Sequence, residues 1–146
     1  MIDIIRNAWG WIGLAPARVV ESNPFGNLLV EAEDGAYWRI CPEEWTCTQV
    51  AANASALADL LTSEDFREDW EMTGLVELAQ ERLGPLTEGR CYCLKTPAVI
   101  GGKYKADNLG TIALEELIAF SGDMAQQIKD VPDGTPIELR IEDGPQ

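Results

Sequence analysis

Four cysteines, a dense set of carboxylates and a glycine pair followed by lysine are the groups in this chain that could do chemistry. Histidine is absent, which removes the Ser–His and Cys–His nucleophile pairs and any imidazole metal site. Cys41, Cys47, Cys91 and Cys93 do not have the spacing of a zinc site: the second pair is a Cys-x-Cys unit, and the first is too wide for a knuckle. Alternation along a strand puts Cys91 and Cys93 on one face, and buried reduced thiols acting as small apolar groups are expected. A thiol enzyme built on Cys91 or Cys93 is the rival reading, and it requires an exposed thiol with a lowered pKa. Gly101-Gly102-Lys103 lacks the strand–loop–helix setting of a phosphate cradle and reads as a turn needing positive φ. The residue types therefore predict a protein that is not an enzyme, with no catalytic residue, no metal and no cofactor.

Carboxylates occur in pairs at Glu43-Glu44, Glu64-Asp65, Glu68-Asp69 and Glu115-Glu116. Acid–base catalysis needs a carboxyl shifted by burial or by a close partner, and adjacent acids on solvent-facing helices do not signal that. Their number points elsewhere. With 25 acidic against 11 basic residues the formal net charge is −14, which repels nucleic acid and anionic membranes and suits a basic partner. Acidity of this degree also serves solubility. The densest cluster is Glu64, Asp65, Glu68, Asp69 and Glu71, opposed only by Arg67 and interleaved with Phe66, Trp70 and Met72. Aromatic side chains anchor interfaces, and a negative field speeds association with a basic protein. Glu64, Asp65, Glu68, Asp69, Trp70 and Glu71 are thus the candidate partner-binding residues, with Glu43 and Glu44 as a second edge. A helix with one side in the core and an acidic side in water accounts for the same pattern.

The elements that must carry these residues are legible from periodicity and turn chemistry. A chain of 146 residues with 46% hydrophobic content forms one compact domain with a real core. No apolar run is long enough to span a membrane and no signal peptide is visible, so a cytoplasmic protein is expected. Ile2, Ile5, Trp9 and Ile12 predict an N-terminal helix within residues 1–14, with Trp9 and Trp11 docked on the body. Residues 15–52 read as an antiparallel β-meander: Arg18–Glu21, Leu28–Glu31, Ala36–Ile40 and Trp45–Val50, with turns at Asn23–Asn27 and Glu33-Asp34-Gly35. Residues 53–84 read as helical, with caps at Asn53 or Ser55 and at Ser63, and a stop at Gly84-Pro85. A strand at Arg90–Lys95, a loop with a Gly-Gly kink, a short strand at Asn108–Ala113, an amphipathic helix at Leu114–Lys129 and a last strand at Pro136–Ile141 complete the order. Meander, helices, then strand–helix–strand make an α+β fold.

The segment Gly89-Arg90-Cys91-Tyr92-Cys93, then Pro97–Tyr104 with its Gly101-Gly102 pair, Asp107-Asn108-Leu109 and the helix opening Leu114-Glu115-Glu116-Leu117 resembles the C-terminal domain of type VI secretion immunity proteins that protect against DNase effectors. Upstream, Pro24-Phe25-Gly26-Asn27 and Gly35–Glu44 are similar to the matching half of the same proteins, so the resemblance spans roughly residues 15–142, with the motif itself in 89–142. It implies a cognate immunity protein that binds a toxin in the cytoplasm and blocks its active site, the toxin being a nuclease or nucleotide-modifying enzyme with a basic catalytic domain. It also implies that Gly101, Gly102 and Asn108 form the fold rather than grip the toxin. The competing function is a small-molecule or peptide-binding regulatory module, with a pocket lined by Tyr92, Tyr104 and the Gly101-Gly102 loop.

Overall fold

Two short turns set the meander before any long-range contact is needed. The Asn23 side-chain oxygen accepts from the backbone N–H groups of Phe25 (2.9 Å) and Asn27 (3.0 Å), an Asx arrangement that folds the chain back on itself. At the next turn Asp34 accepts from the Ala36 N–H at 3.0 Å, and Gly35 takes φ +89. In the computed structural model, which describes residues 1–129, the strands β1 (Pro16–Ser22), β2 (Leu28–Ala32), β3 (Tyr37–Cys41) and β4 (Thr46–Ala51) form one antiparallel sheet in sequence order. The strand expected at Pro136–Ile141 lies outside the described residues.

The sheet is covered on both faces. Leu28, Val30, Ala32 and Ile40 project to one side against Ile5, Ala8 and Trp9 of helix α1 (Ile2–Trp9) and Ile118 and Ala125 of helix α5 (Leu114–Ile128). Each large apolar side chain buried here contributes about 1.5–3 kcal/mol. Helices α1 and α5 meet closely at Gly122, where a Cβ would stand 2.3 Å from the Ala8 carbonyl oxygen. On the other side Tyr37 and Ala51 pack with Leu57 of helix α2 (Ala54–Leu61).

Helices α3 (Glu64–Glu71) and α4 (Thr73–Leu83) follow directly. Asn53 caps α2 by accepting from the Ala56 N–H at 2.8 Å, and Ser63 caps α3 by accepting from Phe66 at 3.4 Å. These caps satisfy backbone donors that a helix start leaves open. Strands β5 (Arg90–Leu94) and β6 (Leu109–Ala113) form a separate antiparallel pair. Tyr92, Leu94 and Leu109 of this pair bury Phe25 and Ala79 in a further cluster. The Tyr92 N–H donates to the Pro24 carbonyl at 2.8 Å, which fastens β5 to the first turn of the meander. The α+β architecture read from the sequence is the one observed, with an N-terminal helix, a four-stranded meander and central helices.

Candidate functional site

Arg39, on β3, is the hub of a polar network on the sheet face beneath α3. Its Nε and Nη2 donate to the Asn27 side-chain oxygen at 3.2 and 3.0 Å, and its Nη1 pairs with Asp69. The guanidinium carbon lies 5.2 Å from the Trp70 ring centroid and 5.9 Å from that of Phe66. Phe66 and Trp70 are stacked on each other at 6.1 Å. Arginine suits such a place because its flat guanidinium stacks on aromatic faces while its edge donates hydrogen bonds.

Asn27 is fully buried. Its amide nitrogen donates to both carboxylate oxygens of Glu43 at 3.2 and 3.0 Å, and the Cys41 thiol lies 3.1 Å from one of them. Burial pushes the Glu43 carboxyl above its ordinary value, while the donors from Cys41 and Asn27 and the charge of Arg39 pull the other way. A cleft of about 260 Å³ opens above this network. Arg39, Glu43, Glu44, Asp69 and Tyr104 all contribute to its walls. The Tyr104 hydroxyl donates to Glu44 at 3.3 Å. Desolvation where the half-exposed ring meets the cleft, and then the Glu43 and Glu44 carboxylates, raise the Tyr104 phenol.

One acid of the α3 cluster meets the second candidate edge. Asp69 from α3 and Glu43 and Glu44 from the turn Pro42–Glu44 share the cleft. Glu43 and Trp70 are only 7% and 6% exposed, so neither presents its side chain on the outer surface. Trp70 stacks on the Arg39 guanidinium, and its carbonyl accepts from the Asn23 amide at 2.9 Å. Glu64, Asp65 and Glu68 are exposed, and Glu71 is ion-paired to Arg67 at 2.8 Å. Asp65 lies one helical turn before Asp69, but it is exposed and takes no part in the cleft wall.

Asn108 holds the loop between β5 and β6. Its side chain accepts from the Thr96 N–H at 2.8 Å and donates to the carbonyls of Thr96 and Lys103, both at 2.9 Å. Gly101 takes φ +97 at the bottom of this loop, and a Cβ on Gly102 would lie 1.7 Å from the Thr96 carbonyl oxygen. Tyr92 and Tyr104 have different surroundings among the described residues. Tyr92 is buried against Phe25 and donates to the Gly84 carbonyl at 2.6 Å, whereas Tyr104 is exposed. Burial pushes Cys47 and Cys91 up to about 12 and raises Cys41 and Cys93 as well. A nucleophilic thiol needs the opposite shift.

Arg39, Asn27 and Tyr104 are the members of the site that the reading of acidic clusters missed. A lone arginine in a strand flanked by Tyr-Trp and Ile-Cys carries one usable signal: a cation at a position that alternation makes half-buried needs partners. Nothing local marks Asn27 as the donor to Glu43.

No curated protein matches the chain. Its fold is similar to that in the crystal structure of Atu4351 from Agrobacterium tumefaciens, with a TM-score of 0.56 and 18% identity, over 82% of this chain and 61% of that one. The chain therefore spans less than two thirds of that protein's length, and at this identity the likeness concerns the fold alone. Residues 51–125, running from the end of β4 into α5, match the family described as T6SS immunity protein Tdi1, C-terminal. That segment contains α3, the Asn108 loop and Tyr104, and it makes up half of the 146 residues, so the chain belongs to this family of type VI secretion immunity proteins.

Proposed function

We propose that this protein binds a cognate type VI effector in the cytoplasm and blocks the effector's active site through an acidic surface, with no catalysis of its own. Family membership over residues 51–125 carries the reading. The net charge of −14 supports the choice of target, an effector with a basic catalytic domain such as a nuclease or nucleotide-modifying enzyme. A basic cleft that receives polyanionic substrate is also one that an acidic protein can fill. Buried thiols with raised pKa values favour binding over thiol chemistry. The cleft beside Arg39 and Glu44, at about 260 Å³, is smaller than the ~300–1,000 Å³ usual for small-molecule sites. A stable complex buries ~1,600 Å² in total, more than one short helix provides, so a second element takes part.

The test is co-purification of a tagged copy from the native bacterium, with mass spectrometry of the bound protein and an assay of that protein's toxicity with and without this chain. One stoichiometric partner whose toxicity disappears on binding is the expected result. The association rate of the pair falls as salt rises, because the field that steers encounter is screened over a Debye length of ~8–10 Å. A rate indifferent to salt removes the electrostatic part, and a toxin that stays active in the complex removes the inhibition.

A further inference from the structure

Among the described residues four large apolar side chains are exposed: Leu83, Val99, Tyr104 and Phe120. Three of them sit on segments gathered around the turn Pro42–Glu44. That turn packs against the short turn Ala98–Ile100, which carries Val99, and against α5, which carries Phe120. Tyr104 reaches Glu44 at 3.3 Å. The Phe120 ring meets Trp45 edge-on, with centroids 6.1 Å apart. Trp45 itself closes the turn in the left-handed region, at φ 53 and ψ 44, where a bulky residue is rare and is held only by its surroundings. Its ring is buried, and among the described residues its indole N–H has no acceptor.

Tyr104 stands in the wall of the acidic cleft, while Val99 and Phe120 sit on the segments packed against the turn that supplies Glu43 and Glu44 to that cleft. Three carboxylates, Glu43, Glu44 and Asp69, line it against the single guanidinium of Arg39, which Asp69 already engages. The outer face of α3 has a different character. It displays acids, but its aromatic residues Phe66 and Trp70 are turned inward onto Arg39. Interfaces are anchored by aromatic and apolar side chains at a desolvated centre, with charge at the rim. Among the described residues, the surface around Pro42–Glu44 has three of the four exposed large apolar side chains beside exposed acid.

We propose that the effector docks on this surface, with Val99, Tyr104 and Phe120 as its apolar anchors, and inserts one arginine or lysine side chain into the cleft beside Glu44 and Tyr104. The inference rests on the immunity reading above and assigns its contact face. Charge complementarity selects the occupant: the cleft has more carboxylate than cation, the whole chain is strongly acidic, and an exposed phenol offers its ring face to a cation. The outer acids of α3, Glu64 and Glu68, then act on the encounter rate and contribute little to the bound state.

The experiment uses the full chain and the partner recovered by co-purification, made catalytically inactive, as the probe. Calorimetric affinities are compared for wild type, Phe120→Ala, Tyr104→Ala, Glu44→Lys and the control Glu68→Lys. Hydrogen exchange of the wild-type complex maps the protected backbone independently of any variant. Each of the first three substitutions, all at exposed positions, is expected to weaken binding by about 30-fold or more, the level of an interface hot spot. Glu68→Lys changes the affinity by less than about 5-fold, as a rim charge does. Protection appears at residues 42–45 and 98–104. A wild-type chain that binds its effector while these three variants bind equally well, or protection confined to residues 64–71, overturns the docking face and leaves the immunity reading intact. A wild-type chain that fails to bind or neutralise the effector overturns both.

Discussion

Gly122→Ala sets two known effects against each other, and its sign tests the packing of α1 on α5. In an unobstructed helix interior alanine is better than glycine by about 1 kcal/mol. At residue 122 the added Cβ would lie 2.3 Å from the Ala8 carbonyl oxygen, 2.7 Å from its carbon and 2.7 Å from its Cβ, where ordinary contacts begin at 3.4 Å. Two of those atoms are backbone, so no side-chain rotation relieves the overlap. The helices must move apart by about an ångström, which loosens the layer of Ile5, Trp9, Ile118 and Ala125. Overpacking of this kind costs about 1–3 kcal/mol and occasionally more. With backbone as the obstacle the upper half of that range applies, leaving a net loss of about 1–2 kcal/mol after the propensity gain. For a chain of this length that is a fall in Tm of roughly 3–8 °C. Gly74, the second residue of α4, has nothing within 4 Å of its would-be Cβ, so Gly74→Ala supplies the unobstructed control: no loss of stability, and a gain smaller than the ~1 kcal/mol of a helix interior. Urea and thermal unfolding of the two variants against wild type measure both. A Gly122→Ala protein as stable as wild type, or more so, refutes the close approach of α1 and α5.

Two further outcomes follow from the buried groups. Glu43 has a native pKa above its unfolded value because burial outweighs its donors, so the native state holds its proton more tightly. Its contribution to stability is complete in acid, falls as the pH rises from the ordinary carboxylate range to the raised native value, and is constant beyond. The stability of wild type relative to Glu43→Gln, which has no proton to lose, is expected to decline across that window in pH-dependent urea titrations, and a difference that grows with pH contradicts the burial argument. The thiols give the second outcome: one pushed up to about 12, as Cys47 and Cys91 are, holds ~1,000-fold less thiolate at neutral pH than an ordinary cysteine, so alkylation waits for unfolding. Rapid modification of a single cysteine in the native protein revives the thiol-enzyme reading.

The elements of this fold were legible because their signals are local. Asn53 and Ser63 cap the helices that follow them, Asp34-Gly35 makes the hairpin, and the apolar repeat of residues 114–128 buries Leu117, Ile118 and Ala125. Each rests on a bond or a period within a few residues, which a sequence displays directly. The family motif around Gly101, Gly102 and Asn108 was legible for the same reason, since Asn108 bonds within its own loop. Composition alone also carried the acidic character and the absence of imidazole chemistry.

The site was another matter. Arg39 meets Asp69 across 30 positions, Asn27 meets Glu43 across 16, and Tyr104 meets Glu44 across 60. Acidic clustering marked α3 and the Glu43-Glu44 pair separately, but which carboxylate faces inward depends on whether a donor waits there. Glu43 is buried because Asn27 and Cys41 receive it, while its neighbour Glu44 stays in water. Trp70 is likewise interior because Arg39 sits over its ring. Local signals along the chain carry the order of the elements as far as α5, the charge and the family. Which acids share a cleft and which aromatics remain exposed follows from the three-dimensional packing, because burying a polar group is tolerable only beside partners that long-range contacts deliver.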